Sequence, residues 1–471
     1  MSNYKPTVGI EVHAELKTAT KIFSDSVNGY ANIANTNVNV VDLGYPGVLP
    51  TLNKEVVNKA LTAALILNCK INKKMHFDRK NYFYPDLPKG YQITQARTPI
   101  GVDGYVEIEV DGKPKKIGIH DIHIEEDTCK SIHYNNISLL DFNRAGVPLV
   151  EIVTKPDISS SKEAILYLEK LRELLLYADV SDCKIEEGSM RCDVNVSISK
   201  TEELGTKIEV KNIGSITNVG IAVESEIKRQ EELLNEGKTL HEETRRFDDK
   251  TNSTILMRVK ETGNDYRYFP EADIPFVILS DEHIDEIKKK IPMLADKRRK
   301  IYLENGISLI NANKIIQNRE VSEYLNKYLD KNINLVIASN LLLGDIAAYL
   351  NKNNKTMKDT CFSDEKFIKV VNMLNNGDMS SKIFKEILND LFETNDEVGT
   401  LFEKHGISKL SDDDLRAIIK NIIDNNSENV IEYKNGNERL LKYFIGQVMK
   451  ETKGSANPEL VNTLLLEELS K

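Results

Sequence analysis

The chain predicts an α+β fold: a mixed, mostly antiparallel domain, then an all-helical middle domain and a helical tail. Three observations carry this. Up to about residue 290, short runs alternate apolar and polar residues between Gly and Pro punctuation. After Ile291-Pro292 the alternation and the aromatics thin out, and Lys/Glu/Asn/Leu segments with helical spacing take over. A second compositional break falls around Lys404 to Ser411, so the expected domains are 1–292, 293–405 and 406–471.

The elements follow in order. In Val8-Gly9-Ile10-Glu11-Val12-His13-Ala14-Glu15, a strand puts Val8, Ile10 and Val12 on one face and Glu11, His13 and Glu15 on the other. Val106–Val110 is a second alternating run, and Asp111-Gly112 after it signals a hairpin turn. The apolar phase changes between Ile119 and Ile122, which implies a bulge or strand end. That leaves open which of Glu125 and Glu126 points inward. A helix starts near Ser160, with Glu163 reaching back to complete the cap and Ile165, Leu168, Leu171 and Leu175 at helical spacing. Cys192–Ile198 is another strand, whose polar face carries Asp193, Asn195 and Ser197 and is extended by Arg191. A helix from Val219 to Leu234 stops before Gly237. Further helices are expected over Leu335–Leu350, Lys366–Leu374 and Leu440–Lys450, and a last one after Pro458, with Asn457 as its cap.

Composition excludes several classes. With 40% hydrophobic and 29% charged residues, the 471-residue chain has ample material for a core and is not of disordered type. No apolar run reaches the roughly 18 residues that span a bilayer, and the start lacks a charged-then-apolar leader pattern, so a cytoplasmic protein is expected. The five cysteines are scattered without a C-x-x-C pair, which argues against a disulfide framework or a cysteine-built zinc site. A net charge of −10 argues against a sequence-blind nucleic-acid coat, while a local basic patch could still bind a defined RNA.

The chemistry concentrates in the first domain. Glu11 and His13 offer oxygen and nitrogen donors from one strand face, half of a divalent-metal site; the alternative is an ordinary half-exposed strand. Glu151 lies inside Pro148-Leu149-Val150-Glu151-Ile152-Val153, where a buried carboxylate demands a metal or a cation such as Arg144. Ile122-His123-Ile124-Glu125-Glu126-Asp127 adds a third acidic cluster, and so many carboxylates suit Mg²⁺ better than zinc. The stretch Phe77–Gln92 is dense in aromatics and cations, which suits stacking of a base and pairing with phosphate; the alternative is aromatics packed on the core. The chain has neither a P-loop nor a G-x-G-x-x-G motif, and no nucleophile elbow.

Taken together, a series of motifs resembles one family. They are Gly9–His13, Leu43–Pro50, Asp78–Asp86, Asn143–Leu149, Glu187–Asp193, Glu209–Ile213, Glu243–Phe247 and Asp265–Asp273, continuing through Met379–Lys382, Gly446–Lys450 and Gly454–Pro458. In this order they resemble the B subunit of the glutamyl/aspartyl-tRNA amidotransferases over nearly the whole chain. The resemblance implies an ATP- and Mg²⁺-dependent ligase that phosphorylates the side-chain carboxylate of misacylated Glu-tRNA(Gln) or Asp-tRNA(Asn). Ammonia released by the glutaminase (amidase), the A subunit, then displaces the phosphate, and a small C subunit completes the complex. It implies that Glu11, His13, Glu151 and Glu126 (or Glu125) form the metal and ATP site. Lys80 and Lys89 would line the mouth of the ammonia channel, and Arg191, Asp193 and Arg144 would bind the cofactor. Lys434, Lys442, Lys450 and Lys453 fall in the tail that would contact tRNA. The rival readings are a non-catalytic tRNA-binding scaffold and a free-standing Mg²⁺-dependent phosphatase or nuclease. The chain departs from the family where relatives carry a cysteine zinc knob: Ser24, Ser26, Asn39 and Asp42 stand in those stretches, so no zinc is expected. Cys129 stands where relatives often have a small residue.

Overall fold

The structure, a computed structural model, describes residues 3–29, 31, 33–259, 266–405, 412–452, 456 and 458–470. The chain divides into two compact units, residues 1–295 and 296–471.

The first unit is built on a nine-stranded sheet. Its strands in chain order are β1 (Lys5–Glu15), β2 (Lys70–Ile71), β3 (Gly101–Val110), β4 (Lys113–Glu126), β5 (Pro148–Thr154), β6 (Met190–Ser199), β7 (Ile208–Lys211), β8 (Glu243–Asp248) and β9 (Ser253–Val259). In space they run β9-β8-β7-β6-β1-β5-β4-β3-β2, antiparallel except for the β7–β8 pair. The Asp111-Gly112 hairpin forms between β3 and β4, both residues taking positive φ (51° and 77°), as a tight hairpin turn requires. The phase change near Ile119 corresponds to a slip in the β5–β4 ladder: Val153 faces Asp121, but Thr154 faces Ile119.

Alternation along β1 sets the layers. Val8, Ile10, Val12 and Ala14 are buried against three helices: α1 (Lys54–Ile66), α2 (Ser161–Tyr177) and α3 (Ile216–Asn235). These supply Ala60, Leu61, Leu168, Leu171, Leu175, Val219 and Val223 to the same core. Each helix starts on a polar cap, Asn53, Ser160 and Ser215, whose side chain accepts an otherwise unpartnered backbone N–H. The opposite face of β1 carries Glu11, His13 and Glu15. Over the end of β4 on that side lies a small three-stranded sheet, Phe269–Pro270, Asp78–Asn81 and Tyr91–Thr94. It is tied down where Gln92 Nε2 donates to the Glu126 carbonyl (2.6 Å) and the Ile124 N–H donates to Gln95 Oε1 (3.0 Å).

The described part of the second unit is helical. The expected single helix over Leu335–Leu350 is two, Leu335–Leu343 and Asp345–Asn353. Gly344 separates them with φ −104° and ψ −105°, and a Cβ there would meet Asn340 O at 2.8 Å. Hydrophobic spacing alone runs through such a break. The expected Lys366–Leu374 helix lies within Asp364–Asn376, which Ser363 caps and a left-handed Gly377 terminates. Helices Asp412–Asp424, Ser427–Lys434, Arg439–Glu451 and Pro458–Leu469 follow, with Leu415, Ile419, Phe444, Val448, Val461 and Leu465 in a core of their own. The Asn457 cap and Gly454 lie outside the described residues.

Candidate active site

Antiparallel pairing puts opposed residues on one face, so the register of the central strands assembles the site. His13 on β1 faces Glu151 on β5 and Arg191 on β6, and Glu151 in turn faces His123 on β4. Arg191, His13, Glu151 and His123 therefore form one row across four strands. One step along, Glu11 faces Asp193 and Val153; one step the other way, Leu149 faces both Glu15 and Glu125.

The geometry within this face is close. His13 Nε2 lies 3.4 Å from both Glu125 Oε1 and Glu151 Oε2. His123 Nε2 is 3.0 Å from Glu151 Oε2, and its Nδ1 is 2.8 Å from Asp121 Oδ1. One donor atom each from His13, Glu125 and Glu151 falls within 4.8 Å of the others. A second such trio is Glu11, Asp193 and Glu209, but Lys211 already occupies it: its Nζ sits 2.5 Å from Asp193 and 3.0 Å from Glu209. Asn195 Nδ2 donates to Glu11 Oε1 at 2.8 Å.

Electrostatics follow from packing like charges in a dry place. Burial pushes the Glu125 carboxyl above its usual range, and the Glu151 charge adds to this. Burial likewise raises Glu11, helped by Glu151, while Asn195 and Lys211 pull the other way. Burial also acts to raise Glu151, yet hydrogen bonds from His123 and His13 overcome it and hold that carboxyl well below the carboxylate range. Burial disfavours charge on His123, but Asp121 and Glu151 more than offset it and lift the imidazole to about 10. Burial opposes charge on His13 in the same way, and Glu151 and Glu125 outweigh it and raise the ring. Glu15 is pushed up to about 7 by burial and the neighbouring Asp127. The carboxylates of Glu125 and Glu151 thus converge on His13 Nε2, where a divalent cation could take the place of a proton.

A cavity of about 500 Å³ opens over this face, lined by His13, Glu125, Lys80, Tyr82, Arg191, Asp193 and Lys211 among others. Burial works against the Lys80 ammonium, but Glu125 and other negative neighbours outweigh it and raise its basicity. Arg191 donates to Asp127 Oδ2 at 2.7 Å, which holds the guanidinium over the row.

Of the residues expected from sequence, the structure brings His13, Glu125 and Glu151 together and sets Glu11 in the adjoining trio. Glu126 goes elsewhere: its carboxylate is 2.6 Å from Lys89 Nζ and accepts the Ile93 N–H at 2.9 Å. Beyond the ladder slip, Ile122 and Ile124 return to the core, so His123 and Glu125 share the site face and Glu126 ends the strand. Glu151 is met by His13 and His123 rather than by Arg144, the cationic alternative. Arg144 Nε lies 3.5 Å from Asp127 and its guanidinium donates to the Thr128 and Cys129 carbonyls, so it meets the site through Asp127. Cys129 is buried, and its N–H donates to the Asp86 carbonyl. Sequence reasoning passed over His123, Lys211 and Glu209; His123 could have been found, since Ile122-His123-Ile124-Glu125 repeats the alternation of Ile10-Glu11-Val12-His13. Lys434, Lys442 and Lys450 are at least partly exposed on the tail helices, while Lys453 lies outside the described residues.

In the stretches that carry Ser24, Ser26, Asn39 and Asp42, the side chains form a polar knot. The Asp42 carboxylate accepts from Ser24 Oγ (2.7 Å), Ser26 Oγ (2.6 Å) and the Asn39 N–H (3.0 Å), and lies 3.4 Å from the Lys21 ammonium, which is 0% exposed.

Comparison with known proteins agrees with this frame. Residues 6–285 match the model of the GatB/GatE catalytic domain, and residues 323–469 match that of the GatB domain. The chain is 46% identical over 473 residues to the B subunit of the aspartyl/glutamyl-tRNA(Asn/Gln) amidotransferase of Bacillus mycoides (strain KBAB4), with 100% of each chain covered. The corresponding B subunit of Lysinibacillus sphaericus (strain C3-41) is equally similar, 46% over 473 residues and 100% of each chain. The chain belongs to this family. The match to the catalytic domain of these amidotransferase B subunits spans the nine-stranded sheet but for Lys5, and therefore the His13–Glu151–His123 row and the cavity above it. The second match covers most of the helical unit, including all four tail helices.

Proposed function

We propose that this chain is the activating subunit of a tRNA-dependent amidotransferase. It uses ATP to phosphorylate the side-chain carboxylate of Glu-tRNA(Gln) or Asp-tRNA(Asn), and ammonia from a partner glutaminase then gives the amide. The observation that carries this reading is the convergence of His13, Glu125 and Glu151 beneath a cavity rimmed by Lys80, Lys211 and Arg191.

The donor set fits Mg²⁺: two carboxylates and one imidazole converge, with Glu11 next to them, and burial with mutual repulsion makes Glu125 and Glu11 reluctant to stay charged without a cation. His13, Glu125 and Glu151 would hold the ion, with Glu11 beside it. Bound there, the cation supplies charge neutralisation for phosphoryl transfer between two anionic groups. The protein's own residues do the rest. His123 fixes Glu151 through its Nε2 while Asp121 fixes the ring. Lys80 and Arg191 bring positive charge to the cavity wall, where phosphate oxygens need it. Asp127 locks the direction of Arg191. Lys89 and Glu126, paired at 2.6 Å, stand apart from the trio and suit the passage of ammonia rather than activation.

A pure tRNA-binding scaffold would have no use for converging buried carboxylates, which lower stability unless they serve chemistry. The test is ATP cleavage by the complex assembled with its partner subunits, with and without Glu-tRNA(Gln) or Asp-tRNA(Asn). Cleavage that requires charged tRNA and Mg²⁺ and disappears in Glu125→Gln supports the reading. Full cleavage in that variant would end it.

A further inference from the structure

The aromatic stretch that stood out in the sequence is not absorbed by activation chemistry, and it does not pack wholly on the core. Tyr84, Tyr82, Tyr266 and Tyr268 form an unbroken edge-to-face row, with successive ring centroids 6.2, 6.0 and 5.9 Å apart. The inner member Tyr82 lines the cavity, and its hydroxyl donates to Gln92 Oε1 at 3.2 Å. Lys80, also on the cavity wall, sets its ammonium 4.9 Å from the centre of the Tyr266 ring. The outer members face water: Tyr84 is 58% exposed and Tyr268 37%.

The row is held stiffly. Arg79 makes a two-pronged pair with Glu271, at 2.6 and 2.9 Å, and reaches Asp273 at 3.2 Å. The Asn81 N–H donates to the Tyr266 carbonyl (2.9 Å) and the Asn81 side chain to the Arg267 carbonyl (2.7 Å). These bonds fasten the segment bearing Tyr266 and Tyr268 to the strand that leads into Tyr82 and Tyr84. Two rigid, water-facing rings stand at either end of a row that enters a cavity walled by Lys80 and Arg191. That is a stacking surface for nucleobases, because every base has a π face and stacking on a fixed ring loses little entropy.

We propose that Tyr84 and Tyr268 stack the unpaired bases at the 3′ end of the charged tRNA, steering its aminoacyl group past Tyr82 and Lys80 to the carboxylate cluster. This rests on the functional reading above. A single-stranded end offers successive bases to two separated rings, whereas ATP offers one, so the tRNA end is the occupant that uses both. Lys80 between the rings and the acidic cluster supplies the positive charge that a terminal phosphate needs.

The experiment uses the assembled complex and charged tRNA carrying 2-aminopurine in place of the terminal adenine, whose fluorescence is quenched on stacking. Quenching is expected with the native chain and is lost in Tyr84→Ala/Tyr268→Ala, while Tyr84→Phe/Tyr268→Phe retains it because the ring face remains. In steady-state assays each alanine variant raises KM for charged tRNA by roughly tenfold, with a smaller change in kcat. Thermal unfolding of the variants near the native temperature certifies that the exposed substitutions leave the fold intact. A raised KM for ATP with KM for tRNA unchanged would overturn the proposal and give the rings to the nucleotide. Unchanged values for both, with quenching intact, would overturn it outright. Native complex that cleaves ATP without charged tRNA would sink the functional reading itself, whatever the tyrosine variants do.

Discussion

His13 and Glu151 face each other across the two central strands, His13 Nε2 lying 3.4 Å from Glu151 Oε2, while His123 holds the same oxygen at 3.0 Å from the next strand. One carboxylate oxygen is thus fixed by two imidazoles on two different strands. Such a site is as rigid as the sheet itself.

The adjacent acids Glu125 and Glu126 should separate activation from ammonia supply. Glu125→Ala removes a group that converges with His13 and Glu151, and amidation should fall by several orders of magnitude, whether glutamine or ammonium is the nitrogen source. Lys89→Ala disrupts the Lys89–Glu126 pair instead, so glutamine-dependent amidation should fall well below ammonium-dependent amidation. Parallel assays with the two nitrogen donors measure this. Equal loss from both donors in Lys89→Ala would contradict the division.

The polar knot around Asp42 should be a stability element. Asp42→Ala leaves the buried Lys21 ammonium without its carboxylate, a change that costs about 3–5 kcal/mol when the charge has no other partner. The Phe142 carbonyl, 3.4 Å from the ammonium, remains as an acceptor and places the expected loss at the lower end of that range. Denaturant unfolding measures it. Elemental analysis of the native chain should find no stoichiometric zinc, since the donors that meet there are hydroxyls, a backbone amide and one carboxylate.

Acid should release the start of α2. Burial acts to raise the Glu163 carboxyl, but bonds from Lys115 (2.7 Å), the Ser159 N–H (2.7 Å) and Ser159 Oγ (3.0 Å) outweigh it and depress the carboxyl below its ordinary 4.5. The unfolded chain therefore takes up the proton first as pH falls. The stabilisation is complete above about 4.5 and disappears as pH drops through the lower folded value. Glu163→Gln should lower the unfolding temperature at pH 7 and leave it nearly unchanged once the pH is well below the folded value. A pH-independent difference would show that charge has no part in this cap.

The tail should contribute salt-sensitive affinity. Lys434, Lys442 and Lys450 stand at the surface of helices that share their own core. Replacing all three with Gln should weaken tRNA binding by the assembled complex. It should also flatten the plot of log affinity against log salt by about 0.7–0.9 for each phosphate no longer neutralised. Binding measured across a salt series decides this, and an unchanged slope would remove these lysines from the interface.

Much of this protein is legible in its sequence alone. Alternation in Val8–Glu15 and Cys192–Ile198 marked strands with one polar face, because a pleated strand sends neighbours to opposite sides whatever surrounds it. Ser160 with Glu163, and Asp111-Gly112, marked a helix start and a hairpin, because caps and tight turns are satisfied within a few residues. Long-range register was not legible. Nothing local says that His13 lies opposite Glu151 or that Glu151 lies opposite His123, since strand pairing is chosen by the packing of whole faces. The slip beside Asp121 then decided that Glu125 joins the cluster while Glu126 leaves it for Lys89, a difference of one residue that flips a side chain to the other face. Gly344 broke an otherwise continuous apolar pattern for the same kind of reason: hydrophobic spacing reports burial, and only backbone geometry reports direction. The sequence by itself determined which residues could form the site, and the tertiary structure decided which of them meet, because meeting depends on pairing between strands distant in the chain.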